Sequence, residues 1–215
     1  MNKTLLINSH PNWTNENTYS SKLQKKFLAL YKERFGDENL TVINIYDTDI
    51  PKIKKNSLID VWNKQQNNEI LTESEKEVSL QSSSLLDEFK DHKRIVIVLP
   101  LHNFNIPSKL KDYLDNILIA RETFKYTESG SVGLMSDDRN LLIIQSSGSI
   151  YTNNDRYSPL EFSYYYLKEM FENIMGFNET YIARAQGTTI QPIDEQQILS
   201  DAVNDLEDVF PKFYK

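Results

Sequence analysis

Arg94-Ile95-Val96-Ile97-Val98-Leu99-Pro100-Leu101-His102-Asn103-Phe104-Asn105-Ile106-Pro107 carries the clearest local signal in the chain. An apolar, β-branched run stops at one proline, crosses a few polar and aromatic residues, and meets a second proline suited to opening a helix. A strand feeding a helix through such a turn puts Leu101, His102, Asn103 and Phe104 at the carboxyl end of a sheet. Open α/β sheets bind their ligands there. Downstream, Leu110, Leu114 and Leu118 recur at fourfold spacing behind Pro107. Upstream, Thr72 with Glu75 has the form of a capping box for a helix carrying Val78, Leu85 and Phe89.

The same alternation extends in both directions. Thr4–Ile7 reads as a short buried strand, and Thr18-Tyr19-Ser20 opens a helix with Leu23, Phe27, Leu30 and Tyr31 on one face, ended by Gly36. Leu40–Tyr46 alternates as a second strand. The long span 47–71 holds a short helix near Ser57–Trp62 and has the length of a lid or binding loop. After Arg121 the period changes to two, with Phe124 and Tyr126 before a Glu128-Ser129-Gly130 turn, which predicts a small hairpin-like insertion. Leu141–Ile144 is a fourth strand, Leu160–Met175 a helix closed by Gly176, Thr180–Ala183 a fifth strand, and Leu199, Val203, Leu206 and Phe210 mark a last helix. Five strands alternating with helices predict a doubly wound parallel sheet, helices on both faces, in the flavodoxin-like order 2-1-3-4-5.

Composition narrows the function. With 215 residues and no linker or composition shift, the chain reads as one domain, residues 1–215. The absence of cysteine excludes disulfides, thiol catalysis, iron–sulfur clusters and thiolate zinc sites. A net charge of −7 without a clustered basic face argues against nucleic acid. The opening apolar run is too short for a signal peptide or a membrane span, so a cytoplasmic location is expected.

Three turns would converge at the strand ends: 8–20, 101–107 and 145–151. The first lacks a glycine-rich phosphate fingerprint. It does place Thr18, Tyr19 and Ser20 at a helix N-terminus, which favours an anion through free N–H groups and the helix dipole. A plain N-cap at Thr18 or Ser20 is the alternative reading. In the second, Asn103 and Phe104 could bond and pack against a flat heterocycle, or simply turn the chain. The third offers Ser146, Ser147 and Ser149, plus Gly148 for close backbone approach, or an ordinary N-capped loop. One anion-shaped turn and two suited to a planar ligand together describe a mononucleotide site.

Other chemistries fit worse. The first strand ends in Asn8, Ser9 and His10, not the acidic residues of a response-regulator receiver, and no G-x-S-x-G elbow is present. His10, His92 and His102 never stand at i, i+4, which argues against a metal site. His92, just before the central strand, is predicted to be an exposed loop residue. Tyr164, Tyr165 and Tyr166 read as a helix face or an interface.

Taken together, Ser9-His10-Pro11, Thr18-Tyr19-Ser20, the run Pro100–Pro107 and Thr123-Phe124-Lys125-Tyr126-Thr127-Glu128, with Gly130 and Val132-Gly133-Leu134, resemble the FMN-dependent NADH azoreductases, also called NADH:quinone oxidoreductases. The resemblance runs along nearly the whole chain. It implies a flavodoxin-like homodimer with tightly bound FMN in each crevice, NADH as donor and a small quinone or azo compound as acceptor; charge and hydropathy point to neither nucleic acid nor membrane as partner. By the same resemblance His10, Thr18, Tyr19 and Ser20 would hold the FMN phosphate. Leu101, His102, Asn103 and Phe104 would line the isoalloxazine, and Ser146, Ser147, Gly148 and Ser149 would meet its pyrimidine edge. Phe124, Tyr126 and Phe162 would stand on the substrate side.

The implied reaction is ping-pong: hydride from NADH to the flavin N5, then two electrons to the acceptor, with no side chain as an obligatory acid or base. Two departures stand out. The family usually shows an arginine and two glycines where this chain has Ser147, Gly148 and Ser149, which predicts a lower flavin potential or looser FMN binding. His102 replaces a commoner aromatic or aliphatic residue. The rival readings are an NADPH-preferring quinone or nitro reductase, a non-catalytic flavodoxin-type electron carrier, and an FMN-free binding protein.

Overall fold

The computed structural model describes residues 3–55 and 57–215. In chain order its elements are β1 (Thr4–Asn8), α1 (Tyr19–Phe35), β2 (Leu40–Asn44), α2 (Leu58–Gln66), α3 (Glu73–Asp91), β3 (Arg94–Pro100), α4 (Ser108–Ile117), β4 (Phe124–Thr127), β5 (Gly130–Gly133), β6 (Asn140–Ser146), α5 (Phe162–Lys168), β7 (Glu179–Ala185) and α6 (Glu195–Phe213). β1, β2, β3, β6 and β7 form one parallel sheet in the order β2-β1-β3-β6-β7. Counting only these strands, that is 2-1-3-4-5, as the sequence predicts. β4 and β5 pair antiparallel apart from it, which makes the predicted insertion a true hairpin.

Strand periodicity divides the core. Leu5, Ile7, Ile95, Ile97, Leu99, Leu141 and Ile143 face one layer, where Phe89, Leu110, Leu114, Leu167 and Phe171 pack from α3, α4 and the α5 region. Leu6, Val96, Val98, Leu142 and Ile144 face the other, against Leu23, Phe27 and Tyr31 of α1 and Leu206 and Phe210 of α6. Burial on both faces explains why the central strands read as unbroken apolar runs.

The two edges of the sheet differ. At the amino-terminal edge the arginines are consumed internally: Arg94 bonds the Asp138 carbonyl at 2.6 Å and its carboxylate, and Arg139 bonds the carbonyls of His92 and Lys90. His92 corrects the sequence reading. It is buried at the end of α3, with Nδ1 donating to the Glu88 carbonyl at 2.6 Å and Nε2 bonded to Thr41 Oγ1 at 2.9 Å. Only His92 itself and Lys93 separate α3 from β3, too short a link to carry the imidazole into solvent.

Three element boundaries also shift. β2 ends at Asn44, two residues before the expected Tyr46, because Asn44's carbonyl accepts from Asp47 N–H and the Thr48 hydroxyl in a turn. β6 runs on through Gln145 and Ser146, which puts Ser146 at the strand end instead of in the loop. The helix expected over Leu160–Met175 is a 3₁₀ turn (Ser158–Leu160), then α5, then π turns over Glu169–Met175. Ser163, Leu167, Phe171 and Met175, all fully buried, recur at strict intervals of four. An α-helix drifts by about +40° per four residues, and π turns of about 4.4 residues drift by about −33°. Joining the two keeps the row aimed at the sheet. Gly133 then lies against the Met175–Gly176 backbone, where a Cβ would collide.

Candidate functional site

The carboxyl ends of the strands hold the three turns together at their roots. Ser9 N–H and Oγ both donate to the Val98 carbonyl at 2.8 Å, tying the first turn to β3. Leu101 N–H donates to the Ser146 carbonyl at 2.7 Å, tying the second turn to β6. Ser147 N–H donates to the Ala185 carbonyl at 2.9 Å, tying the third to β7. The sequence-predicted residues of all three turns therefore sit along one sheet edge, around the switch point between β1 and β3.

In the first turn, buried Asn8 accepts from His10 N–H at 2.9 Å and donates to Gln24 Oε1 at 2.7 Å. His10 Nδ1 accepts from Asn12 N–H at 3.0 Å, and burial pulls the imidazole pKa below its ordinary value of 6.5, against that bond. With Nδ1 as acceptor, the ring proton of the neutral form sits on Nε2, which makes His10 a neutral donor. Thr18 caps α1, its Oγ1 accepting from Ser21 N–H at 3.2 Å. Tyr19 and Ser20 lie in the first turn, where a helix supplies no carbonyl for its own N–H groups. That turn contains no acidic residue. Donors and the positive dipole end stay available to an anion.

The second turn is strained. His102 and Asn105 exchange backbone bonds of 2.9 and 3.0 Å, and the residues between them, Asn103 and Phe104, have φ of +46° and +67°. Positive φ at both central positions is the I′ pattern, which favours Asn-Gly. Phenylalanine there costs on the order of 1–3 kcal/mol. The result is that Asn103 and Phe104 project into solvent at the strand end.

The third turn is pinned by the segment after β7. Thr188 bonds the Ser147 carbonyl through N–H and hydroxyl, both at 3.1 Å, and Thr189 bonds the Gly148 carbonyl at 3.2 and 3.1 Å. Ser147 Oγ donates to the Ser149 carbonyl at 2.9 Å. A Cβ on Gly148 would lie 2.9 Å from Thr189 Oγ1, so the residue must stay small. Of the other aromatics, Phe124 is buried, its ring 5.3 Å from and edge-on to that of Tyr126. Tyr126 is 75% exposed and Phe162 47%.

Not legible in the sequence were Asn8, the Thr188-Thr189 clamp, and a polar group of buried Gln145, Glu161 and Ser163 with partly buried Arg184 behind the third turn. None stands out in sequence, because the side-chain bonds that tie them in span 16 or more positions. Among the described residues no helix is long and apolar enough to cross a membrane.

A family model for the flavodoxin-like fold matches residues 2–210. The chain belongs to this flavodoxin-like family. It is 49% identical over 214 residues to an FMN-dependent NADH:quinone oxidoreductase of Lactiplantibacillus plantarum, covering 100% of both chains. To another of that name from Bacillus anthracis it is 50% identical, covering 97% of this chain and 93% of the relative. A crystal structure of an FMN-dependent NADH-azoreductase from Bacillus anthracis in complex with FMN superposes with a TM-score of 0.94 at 48% identity, covering 100% of both.

Proposed function

We propose that this protein is an FMN-dependent NADH:quinone oxidoreductase that also reduces azo compounds, a single domain over residues 1–215 working as a cytoplasmic homodimer. The observation that carries this reading is the juxtaposition of an acid-free helix N-terminus with a strained turn presenting Asn103 and Phe104 at the same sheet edge. Relatives of matching length, bearing that activity in their names, support it.

The residues present suit FMN. Thr18, Tyr19 and Ser20 would hold its phosphate through backbone N–H groups and hydroxyls, with neutral His10 donating from Nε2. Leu101, His102, Asn103 and Phe104 would line the ring system. The Ser146, Ser147, Gly148 and Ser149 turn would face the pyrimidine edge, where Gly148 permits close backbone approach. Bound FMN supplies two-electron hydride exchange between a nicotinamide and the acceptor. The chain's part is to orient: Phe104 walls the ring, and exposed Tyr126 and Phe162 shape the space where donor and acceptor take turns. Exposed Phe104, Tyr126, Val132, Leu134, Phe162 and Tyr165 leave apolar surface that a second copy would cover.

The test is spectroscopic. The purified protein should be yellow, should bleach with NADH under nitrogen, and should recover its colour on addition of a quinone. A flavin-loaded protein that NADH leaves oxidised would refute the reading.

A further inference from the structure

Glu161 is the only carboxylate side chain buried among the described residues, at 3% exposure. It stands at the N-terminal flank of α5, immediately before Phe162, with its side chain turned to other partners. Its Oε1 accepts from Gln145 Nε2 at 2.7 Å and from Arg184 Nε at 2.8 Å, and its Oε2 accepts from Arg184 Nη2 at 2.8 Å. Gln145 and Arg184 are register partners on adjacent strands. Ser163, on the other side of Phe162, donates to Gln145 Oε1 at 2.6 Å. The residues flanking Phe162 are thus fastened to the last turns of β6 and β7, one position before Ser146 and Ala185.

Stability does not require such a group. Replacing a buried ion pair by apolar side chains of similar volume is often neutral or favourable, whereas a bidentate pair fixes direction as well as distance. What these bonds fix is the start of α5 relative to the third turn. Phe162 is left half-exposed on a rigid mount.

We propose that Glu161 is a positioning residue that acts through Phe162. By fastening the start of α5 to the strand ends that carry the Ser146–Ser149 turn, its carboxylate fixes that ring and so sets the length of acceptor the site takes. The proposal rests on the functional reading above.

The test is a double-mutant cycle of Glu161→Gln and Phe162→Ala. Its readout is the ratio of kcat/KM for an extended azo dye to that for a small benzoquinone, measured on one preparation. That ratio is insensitive to partial unfolding or flavin loss, which scale both rates alike. Glu161→Gln should shift the ratio about tenfold, and should leave it unchanged in the Phe162→Ala background. Equal effects in both backgrounds, or a fall in Tm with the ratio intact, would overturn the proposal. Should Glu161→Gln fail to fold, Glu161→Gln with Arg184→Met removes both charges and enters the same cycle. A wild-type protein that NADH cannot bleach would overturn the functional reading itself. Normal bleaching with equal effects in both backgrounds would overturn the positioning alone.

Discussion

α1 and α3 begin with nearly the same words and do opposite things. Thr18-Tyr19-Ser20-Ser21 opens one and Thr72-Glu73-Ser74-Glu75 the other. Both threonines cap, accepting from the N–H three residues on. In α3 the Glu75 carboxylate reaches back to Thr72 N–H at 2.8 Å, and with Glu73 fills the positive end of the helix. Lys64's ammonium, then Thr72 N–H, hold the Glu75 carboxyl down to about 2. In α1 both acids are absent, so an outside anion can take the place that α3 fills itself. Two threonine caps of the same form thus leave one helix end filled by its own chain and the other open, and the difference is two carboxylates.

The largest effect should come from making α1 resemble α3. Tyr19→Glu copies Glu73 and should weaken FMN binding by about 100-fold or more, through charge set against phosphate. Tyr19→Gln, which changes shape without charge, should lose far less. Fluorescence titration with FMN reads both.

Next in size is the second turn. Phe104→Gly removes the left-handed strain and should hold or raise Tm of the flavin-free protein by a few degrees, while turnover with quinone falls about tenfold for want of the ring wall. A fall in both would mean that Phe104 is a packing residue.

The caps themselves sharpen the contrast at a smaller scale. Thr18→Ala and Thr72→Ala should each cost about 1 kcal/mol of stability in urea, but only Thr18→Ala should also weaken FMN. In acid the two ends part again. Glu75's carboxyl is depressed in the folded chain, so its contribution is complete above its ordinary value of 4.5 and is lost as pH falls toward about 2. His10 works in the other window: its pKa is lowered on folding, so stability falls as pH drops below 6.5, and His10→Gln should flatten that segment of the profile. The smallest change concerns the missing arginine. Ser147→Arg should raise the flavin midpoint potential and tighten FMN, by adding a cation where reduction adds negative charge.

How much of this was legible in the sequence depended on the range of the interaction. Strand order, the hairpin, the α3 capping box and the turn ends follow from local pattern: runs of Ile and Val, a Thr-x-x-Glu spacing, a glycine past the last helical residue. What stayed hidden was long-range. Nothing near His92 announces that Thr41 and the Glu88 carbonyl will enclose it. The fourfold row Ser163, Leu167, Phe171, Met175 fits an α-helix well enough to conceal a π ending. Glu161 looks like any surface acid until Arg184 and Gln145 arrive from the strands. The site was visible as three polar turns, but their mutual placement depends on bonds between strands far apart in sequence.

On the proposed function, the start of α1 grips the FMN phosphate. Its most direct test is a parallel equilibrium titration of the flavin-free protein with FMN and with riboflavin, which differ only in that group. The expected result is stoichiometric, fluorescence-quenching binding of FMN, with riboflavin weaker by about 100-fold. Equal affinity for the two flavins would contradict it.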